Sequence, residues 1–160
     1  MALPKSRVRY QKSGITFIDN TEAVEWTMTQ LTRAALRDVS IFVRKTFKTS
    51  YYSHFNKITG DAGKATKGKI WATDRTLYPR VDIGLKTGKA KGFYAYYQEF
   101  GTSAKRPRGH STPKLGLLQH SVKDNTTMIS SIMAQYLGEL DKDNPVAGIS
   151  EDVVEEESEV

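Results

Sequence analysis

The pattern of hydrophobic and polar residues divides the chain into a helical first part, a strand-forming middle and a helical end. A turn signal at residues 12–14 separates an alternating polar–apolar stretch at residues 7–11 from a mostly apolar stretch at residues 15–18, which predicts a strand or hairpin within residues 7–18. A long amphipathic pattern from residue 21 to about residue 48 then predicts a helix, with Asp19, Asn20 and Thr21 as candidate N-caps. Its apolar positions are Val24, Met28, Leu31, Ala35, Val39, Phe42 and Val43.

The middle of the chain alternates between basic loops and short strands. Residues 53–69 are rich in glycine and lysine and are predicted to form a loop, after which residues 70–73 are predicted to form a strand. From Pro79 onward, apolar Val81, Ile83 and Leu85 alternate with polar residues, which is typical of an antiparallel strand with one face in water. We therefore expect a small antiparallel sheet within about residues 68–100.

The last third is predicted to be mainly helical. Residues 93–100 fit either a strand or a short helix, and Gly101 is suited to a left-handed stop after a helix. Thr112 and Pro113 resemble the start of a final helix, which can break near Asp124 and Asn125. The predicted fold class is α+β, with a long N-terminal helix, a small antiparallel β-sheet, a C-terminal helix and a disordered acidic tail.

Charge divides the chain in two. Residues 141–160 contain eight acidic residues and one lysine, so they carry −7, whereas residues 1–140 contain 23 basic and 10 acidic residues and carry +13. We interpret residues 1–140 as one folded domain and residues 141–160 as a flexible acidic tail. A basic body favours a polyanionic partner, usually nucleic acid, or an acidic protein.

Composition excludes several kinds of chemistry. The absence of cysteine removes disulfides, thiolate zinc sites and thiol nucleophiles. The stretch from Gly63 to Lys69 fits the spacing of a phosphate-binding loop, but Ile70 stands where that loop needs serine or threonine. His54, His110 and His120 lack metal-ligand spacing. We expect no catalytic residue, no metal, no cofactor and no enzymatic activity. No apolar stretch approaches the roughly 18 residues that span a bilayer, so no membrane partner is expected.

Basic residues in loops are the main candidates for binding a polyanion. Lysine and arginine side chains interspersed with glycine suit phosphate contacts that do not read bases. The candidates for a DNA channel or an acidic partner are Lys57, Lys64, Lys67, Lys69, Lys86, Lys89, Lys91, Arg106 and Arg108. The aromatic residues within 93–100 suit core packing or a subunit interface, and a stacking platform for single strands is a third alternative.

The segment from Tyr94 to Ser103, Tyr-Ala-Tyr-Tyr-Gln-Glu-Phe-Gly-Thr-Ser, resembles a known family. It is similar to the head–tail joining, or tail-completion, proteins of long-tailed bacteriophages, whose hallmark is close to Tyr-Ala-x-x-x-Glu-Phe-Gly-Thr after a glycine- and lysine-rich turn. The order of a long helix upstream and a proline-containing loop downstream also matches. Residues 109–113 depart from the family, which usually has an aromatic residue and a second basic–proline pair there.

The resemblance implies a structural protein of the virion neck, made in the host cytoplasm. Such a protein forms a homo-oligomeric ring, six- or twelve-fold, between portal-side connector proteins and the tail tube or tail terminator, and double-stranded DNA passes through it. The residues expected at a subunit or partner interface are Tyr94, Tyr97, Glu99, Phe100, Gly101 and Thr102. If Glu99 is buried it needs a donor, which a neighbouring subunit's arginine or lysine could supply. The same motif is equally suited to holding the domain's own corner together.

Two other functions remain open from the sequence. A stand-alone nucleic-acid-binding protein also fits the basic body, and salt-dependent DNA binding by the monomer distinguishes it. A small metal-dependent nuclease that needs His110 or Asp82 is the third alternative, although no arrangement of residues in the sequence supports it.

Overall fold

The computed structural model describes residues 5, 7–12, 14–56, 61–72, 78–86, 92–102 and 111–141. Over these residues the protein is α+β, with a long N-terminal helix, two-stranded antiparallel sheets and C-terminal helices, as the sequence predicts. Residues 142–160, nearly all of the predicted acidic tail, lie outside the described residues.

The chain opens with the predicted hairpin. Strands β1 (Arg7–Lys12) and β2 (Ile15–Asp19) pair antiparallel, and their register shifts between Val8 and Tyr10. Ile15 and Ile18 are exposed. The hairpin leads directly into the long helix.

Helix α1 (Thr21–His54) forms the scaffold of the domain and is about 51 Å long at 1.5 Å per residue. Its start is fixed by Asp19, whose Oδ1 accepts hydrogen bonds from the backbone amide and the hydroxyl of Thr21. The predicted end near residue 48 is wrong, because the helix continues to His54. The last turns contain weak helix formers, but burial of Tyr51 holds them in helical conformation.

One face of α1 is buried along most of its length. The buried residues are Thr27, Leu31, Ala34, Ala35, Leu36, Val39, Ser40, Val43, Phe47 and Tyr51. Val24 and Met28 belong to the apolar pattern of the sequence but are exposed. The core is therefore concentrated toward the C-terminal half of α1, where Phe47, Tyr51, Ala62 and Ala95 pack together.

The predicted loop at residues 53–69 is only partly a loop. It contains a short helix, α2 (Asp61–Lys64), and the beginning of strand β3 (Thr66–Trp71). Glycine and lysine indicated a loop, but Ala62 and Ala65 are nearly completely buried and hold this segment against the body. Composition alone does not reveal this packing.

Strand β4 (Arg80–Leu85) confirms the predicted alternating strand and pairs antiparallel with β3 from Thr66↔Leu85 to Trp71↔Arg80. Strand β3 begins earlier than the predicted residues 70–73 and ends at Trp71. The inner face of this two-stranded ribbon packs on α1 and contains Thr66, Gly68, Ile70, Val81, Ile83 and Leu85.

Three further α-helices follow, and a 3-10 helix (Glu139–Asp141) ends the described chain. Helix α3 (Tyr94–Phe100) resolves the ambiguous segment as helix, and α4 (Leu117–Lys123) and α5 (Thr126–Gly138) are separated at the predicted break. The predicted helix start at Thr112 and Pro113 is wrong. Thr112 instead exchanges backbone hydrogen bonds with Thr102, so its amide and carbonyl are not free to begin a helix. Within the described part of the chain, no helix is long and apolar enough to cross a membrane.

Substitution of Gly68 tests whether the β3–β4 ribbon packs closely against α1. A Cβ atom at Gly68 would lie 2.3 Å from Oγ of Ser40, whereas a Cβ at Gly84 would meet nothing within 4 Å. We predict that Gly68→Ala lowers the free energy of unfolding by about 1–3 kcal/mol, measured by denaturant titration. Adding Ser40→Ala should restore much of the loss, and Gly84→Ala serves as the matched control. An equal effect of the two glycine substitutions would contradict this packing.

Candidate functional site

Helix α3 has two different faces, and the difference follows from what each face contacts. On the inner face, Ala95 and Glu99 are buried, and Glu99 is only 5% exposed. On the outer face, Tyr94, Tyr97 and Phe100 are exposed, Phe100 at 55%. Helix α3 therefore presents aromatic rings to solvent on one side, while its other side packs against the body of the domain.

Glu99 makes the principal contact of the inner face. Its Oε1 accepts hydrogen bonds from the backbone amides of Leu118, at 2.9 Å, and Gln119, at 3.3 Å. These amides belong to the first turn of α4, where no helical carbonyl is available to them. Gly116 at the N-cap has no side chain to cap the helix, so the carboxylate from α3 does so and complements the helix dipole.

Backbone hydrogen bonds reinforce this corner. The amides of Leu115 and Gly116 donate to the carbonyls of Gln98 and Glu99, at 3.1 and 3.2 Å. Beyond the helix, the amide of Thr112 donates to the backbone oxygen and to the hydroxyl of Thr102. The segment after α3 is thus clamped to the segment that precedes α4.

Two observations explain why the chain has a glycine at position 101, where it leaves α3 and changes direction. Gly101 ends α3 with φ 74° and ψ 166°, in a positive-φ region that favours glycine. A Cβ at this position would also lie 2.9 Å from the carbonyl oxygen of Thr112. The sequence predicts a left-handed stop at Gly101, and its φ is positive as expected, but its ψ of 166° lies outside the left-handed helical region.

The donors that Glu99 needs come from its own chain, and no neighbouring subunit's arginine or lysine is required. The described contacts of Gly101 and Thr102 are likewise internal. A role for these three residues at an interface stays a prediction. Their described role is to fix the position of α3.

A second contact ties α3 to α1. The hydroxyl of Tyr51 donates a hydrogen bond to Oε1 of Gln98. Burial raises the pKa of Tyr51 to about 12, with smaller contributions from the neighbouring hydroxyls of Tyr94 and Tyr52. The phenol therefore remains a donor throughout the physiological range.

The aromatic rings of α3 and of Phe93 also contact one another. Phe93, directly before the helix, lies edge-on to Tyr97 at 6.0 Å between ring centroids, and Tyr96 contacts Phe100 at 4.7 Å. We call Phe93, Tyr94, Tyr97 and Phe100 the aromatic face. Phe93 was missed from the sequence because the helix-or-strand ambiguity left its orientation open.

The outer face of the β3–β4 ribbon forms a second candidate surface. Lys67, Lys69 and Trp71 of β3 and Arg80 of β4 are exposed. The ammonium of Lys69 lies 4.1 Å from the centroid of the Trp71 ring, and the Arg80 guanidinium lies 5.6 Å from it. We call these four residues the cationic ribbon face.

The carboxylate of Asp82 contacts two residues of the cationic ribbon face, Trp71 and Arg80. Its Oδ2 accepts a hydrogen bond from the indole Nε1 of Trp71 at 2.7 Å, and its Oδ1 lies 3.5 Å from Nε of Arg80. Trp71 and Arg80 were not among the predicted binding residues. The antiparallel pairing that places Arg80 of β4 opposite Trp71 of β3 was not predictable from either strand alone.

The predicted basic residues do not all join this surface. Lys86 is exposed directly after β4, whereas Lys64 lies on α2 with its ammonium 3.8 Å from Asp61. Lys57, Lys89, Lys91, Arg106 and Arg108 lie outside the described residues. Lys67 and Lys69 are thus the predicted cations that the structure brings together.

The stretch from Gly63 to Lys69 does not have the arrangement of a phosphate-binding loop. It runs from the end of helix α2 into strand β3, whereas that motif runs from a strand into a helix. Among the described residues, no group of three or more histidine, cysteine, aspartate or glutamate side chains is placed to hold a metal ion. His110 lies outside the described residues.

Comparison with known proteins finds no matching family model, no matching curated protein and no matching solved structure.

Removal of the Glu99 side chain tests its role as a cap. We predict that Glu99→Ala lowers the free energy of unfolding by about 1–3 kcal/mol, because two partly buried amides lose their acceptor. Glu99→Gln keeps one acceptor oxygen and should cost less. Glu25→Ala, at an exposed glutamate of α1, should change stability by no more than about 0.5 kcal/mol. Denaturant titration measures all three, and equal stability of Glu99→Ala and the wild type would show that the cap is unimportant.

Proposed function

We propose that this protein is a structural subunit of a bacteriophage neck, a head–tail connector or tail-completion protein that acts as a ring between head and tail. The observation that carries the proposal is the aromatic face, three of whose four residues lie within the segment from Tyr94 to Ser103 that resembles the head–tail joining family. The function is assembly, and binding surfaces perform it.

The composition and rigidity of the aromatic face support a role in binding a protein. Tyrosine and phenylalanine are enriched in the cores of interfaces, where charged residues are depleted. Glu99 and Tyr51 hold the helix beneath these rings, so little conformational entropy is lost when a partner covers them. Its partners in the proposed ring are another copy of the chain, a portal-side connector protein, and the tail tube or tail terminator.

The cationic ribbon face supports contact with the DNA that passes through a neck. Lys67 and Lys69 lie two residues apart on one strand, so their side chains project from the same side, roughly 7 Å apart along it. Such charges contact phosphates without reading bases, as the passage of any DNA sequence through a channel requires. Each subunit of a ring repeats the contact, so weak binding by one subunit suffices.

The same ribbon supports a second candidate function, stand-alone nucleic-acid binding. In that case the purified monomer should bind duplex DNA with strong salt dependence, and Lys67→Ala and Lys69→Ala should each reduce the salt slope by about 1. A connector subunit should show no such binding before assembly. Titration of labelled duplex at several salt concentrations decides between the two functions.

The connector function predicts a specific defect in virions. A phage that encodes this protein, when deprived of it, should accumulate full heads and separate tails, visible by negative-stain electron microscopy. Normal joined virions would contradict the proposal.

The aromatic face predicts which variants reproduce that defect. The variant that combines Tyr97→Ser with Phe100→Ser should remain folded. When it replaces the wild type, the number of infectious particles should be lower by at least about tenfold. Tyr78→Ser is the matched control, because Tyr78 is 84% exposed and lies outside the aromatic face. Full complementation by the double variant would mean that the aromatic face is not needed for joining.

A further inference from the structure

The cationic ribbon face carries positive charge that the described chain neutralises only in part. The carboxylate of Asp82 lies beside Arg80. Within the described parts of the chain, no carboxylate forms an ion pair with Lys67 or Lys69, and both side chains are exposed. Lys86, directly after β4, is exposed as well. This face is therefore suited to a ligand that presents several negative charges.

The sequence of the same chain contains a segment with that chemistry. Residues 151–160 include six acidic side chains and no basic one, and we call them the acidic segment. Its glutamates at positions 155, 157 and 159 occupy alternate positions. In an extended backbone, alternate side chains lie on one side and are roughly 7 Å apart, which is also the spacing of Lys67 and Lys69 along β3. The two charge patterns are therefore complementary in sign and in spacing.

The length of the chain allows this contact within one molecule. Leu140, close to the end of the described residues, lies beside Met28 of α1 in an apolar cleft, whereas Gly68 of the ribbon lies against Ser40. Met28 and Ser40 are about 18 Å apart along the helix axis, and the width of a helix adds about 10 Å. An extended stretch as long as residues 142–150 spans at most about 30 Å. The acidic segment can therefore reach the ribbon.

We propose that the acidic segment binds the cationic ribbon face of its own chain and competes there with DNA. Exposed ion pairs are individually weak and are screened by salt. Because the segment is covalently linked to the surface that it binds, its effective concentration is high, and weak pairs suffice to hold it there.

The proposal deepens the proposed function, because it rests on the assignment of the ribbon to DNA and adds how that contact is regulated. Residues 1–140 carry +13, which would attract nucleic acid of any sequence to a free subunit. The acidic segment lowers this attraction in the free subunit. In a ring, DNA contacts the ribbons of several subunits at once, so its combined binding exceeds that of each single segment and displaces it.

Paramagnetic relaxation, measured by NMR on the full chain, tests the contact itself. The chain has no cysteine, so Ser158→Cys provides a single attachment site for a nitroxide label. At low salt the label should broaden the amide signals of Lys67 and Lys69 at least about twofold. Salt at about 1 M should restore both signals, because it reduces the screening length to about 3 Å. Absence of broadening at low salt overturns the proposal.

A tail-neutral variant is the matched control for this measurement, because it keeps the length of the chain and removes only the charges. Its substitutions are Glu151→Gln, Asp152→Asn, Glu155→Gln, Glu156→Gln, Glu157→Gln and Glu159→Gln. Broadening of the same size in the labelled tail-neutral variant overturns the proposal. A mixture of nitroxide-labelled chains with unlabelled, isotope-enriched chains separates the two sources of contact. Equal broadening in that mixture overturns binding within one molecule.

Titration of a fluorescent DNA duplex tests the competition. The tail-neutral variant should bind the duplex at least about tenfold more tightly than the wild type at low salt. Adding Lys67→Ala and Lys69→Ala should abolish this gain. Adding Lys114→Ala and Lys123→Ala should preserve most of it, because these exposed lysines lie away from the ribbon. Equal affinity of the tail-neutral variant and the wild type overturns the competition.

A gain in DNA affinity that survives the loss of Lys67 and Lys69 also overturns the competition, because net charge alone would then explain it. The connector function fails on a different observation, the joining of heads and tails without this protein. Such a result would leave a contact seen by NMR intact, and absence of that contact would leave the joining phenotype unchanged.

Discussion

The buried carboxylate of Glu99 is the contact on which the organisation of the candidate site depends. It caps the first turn of α4 from helix α3, and the backbone of the same segment is tied to the residues that precede α4. Because Glu99 must face inward to satisfy these amides, the aromatic residues on the other side of α3 must face outward. One polar interaction inside the domain thus determines which apolar surface is available outside it.

The long helix α1 separates the available surfaces in space. Its C-terminal half packs under the β3–β4 ribbon, α3 and α4, and Phe47 and Tyr51 form the core there. Its N-terminal half is covered by α5 on one side and leaves Val24 and Met28 exposed. A scaffold with different surfaces toward its two ends suits a subunit that contacts several neighbours in an assembly. We propose that a phage neck is that assembly.

The sequence predicted elements whose signal is local. The alternation of Val81, Ile83 and Leu85 determined strand β4, and the polar pair Asp124 and Asn125 marked the break between the last helices. The sequence did not predict the features that depend on contacts between residues far apart in the chain. The end of α1 depends on Tyr51 packing against Ala62 and Ala95, and the start of α4 depends on Thr112 pairing with Thr102. The donors of Glu99 lie about twenty residues away, so spacing could indicate only that donors were needed.

The central claim is that the aromatic face of α3 meets another protein once the particle is assembled. Hydroxyl-radical footprinting of the free chain and of the assembled virion, read residue by residue by mass spectrometry, tests this directly. The account predicts that oxidation of Tyr94, Tyr97 and Phe100 falls several-fold on assembly, since a partner would cover these rings. Oxidation of all three rings at the same rate in the virion as in the free chain would contradict the claim.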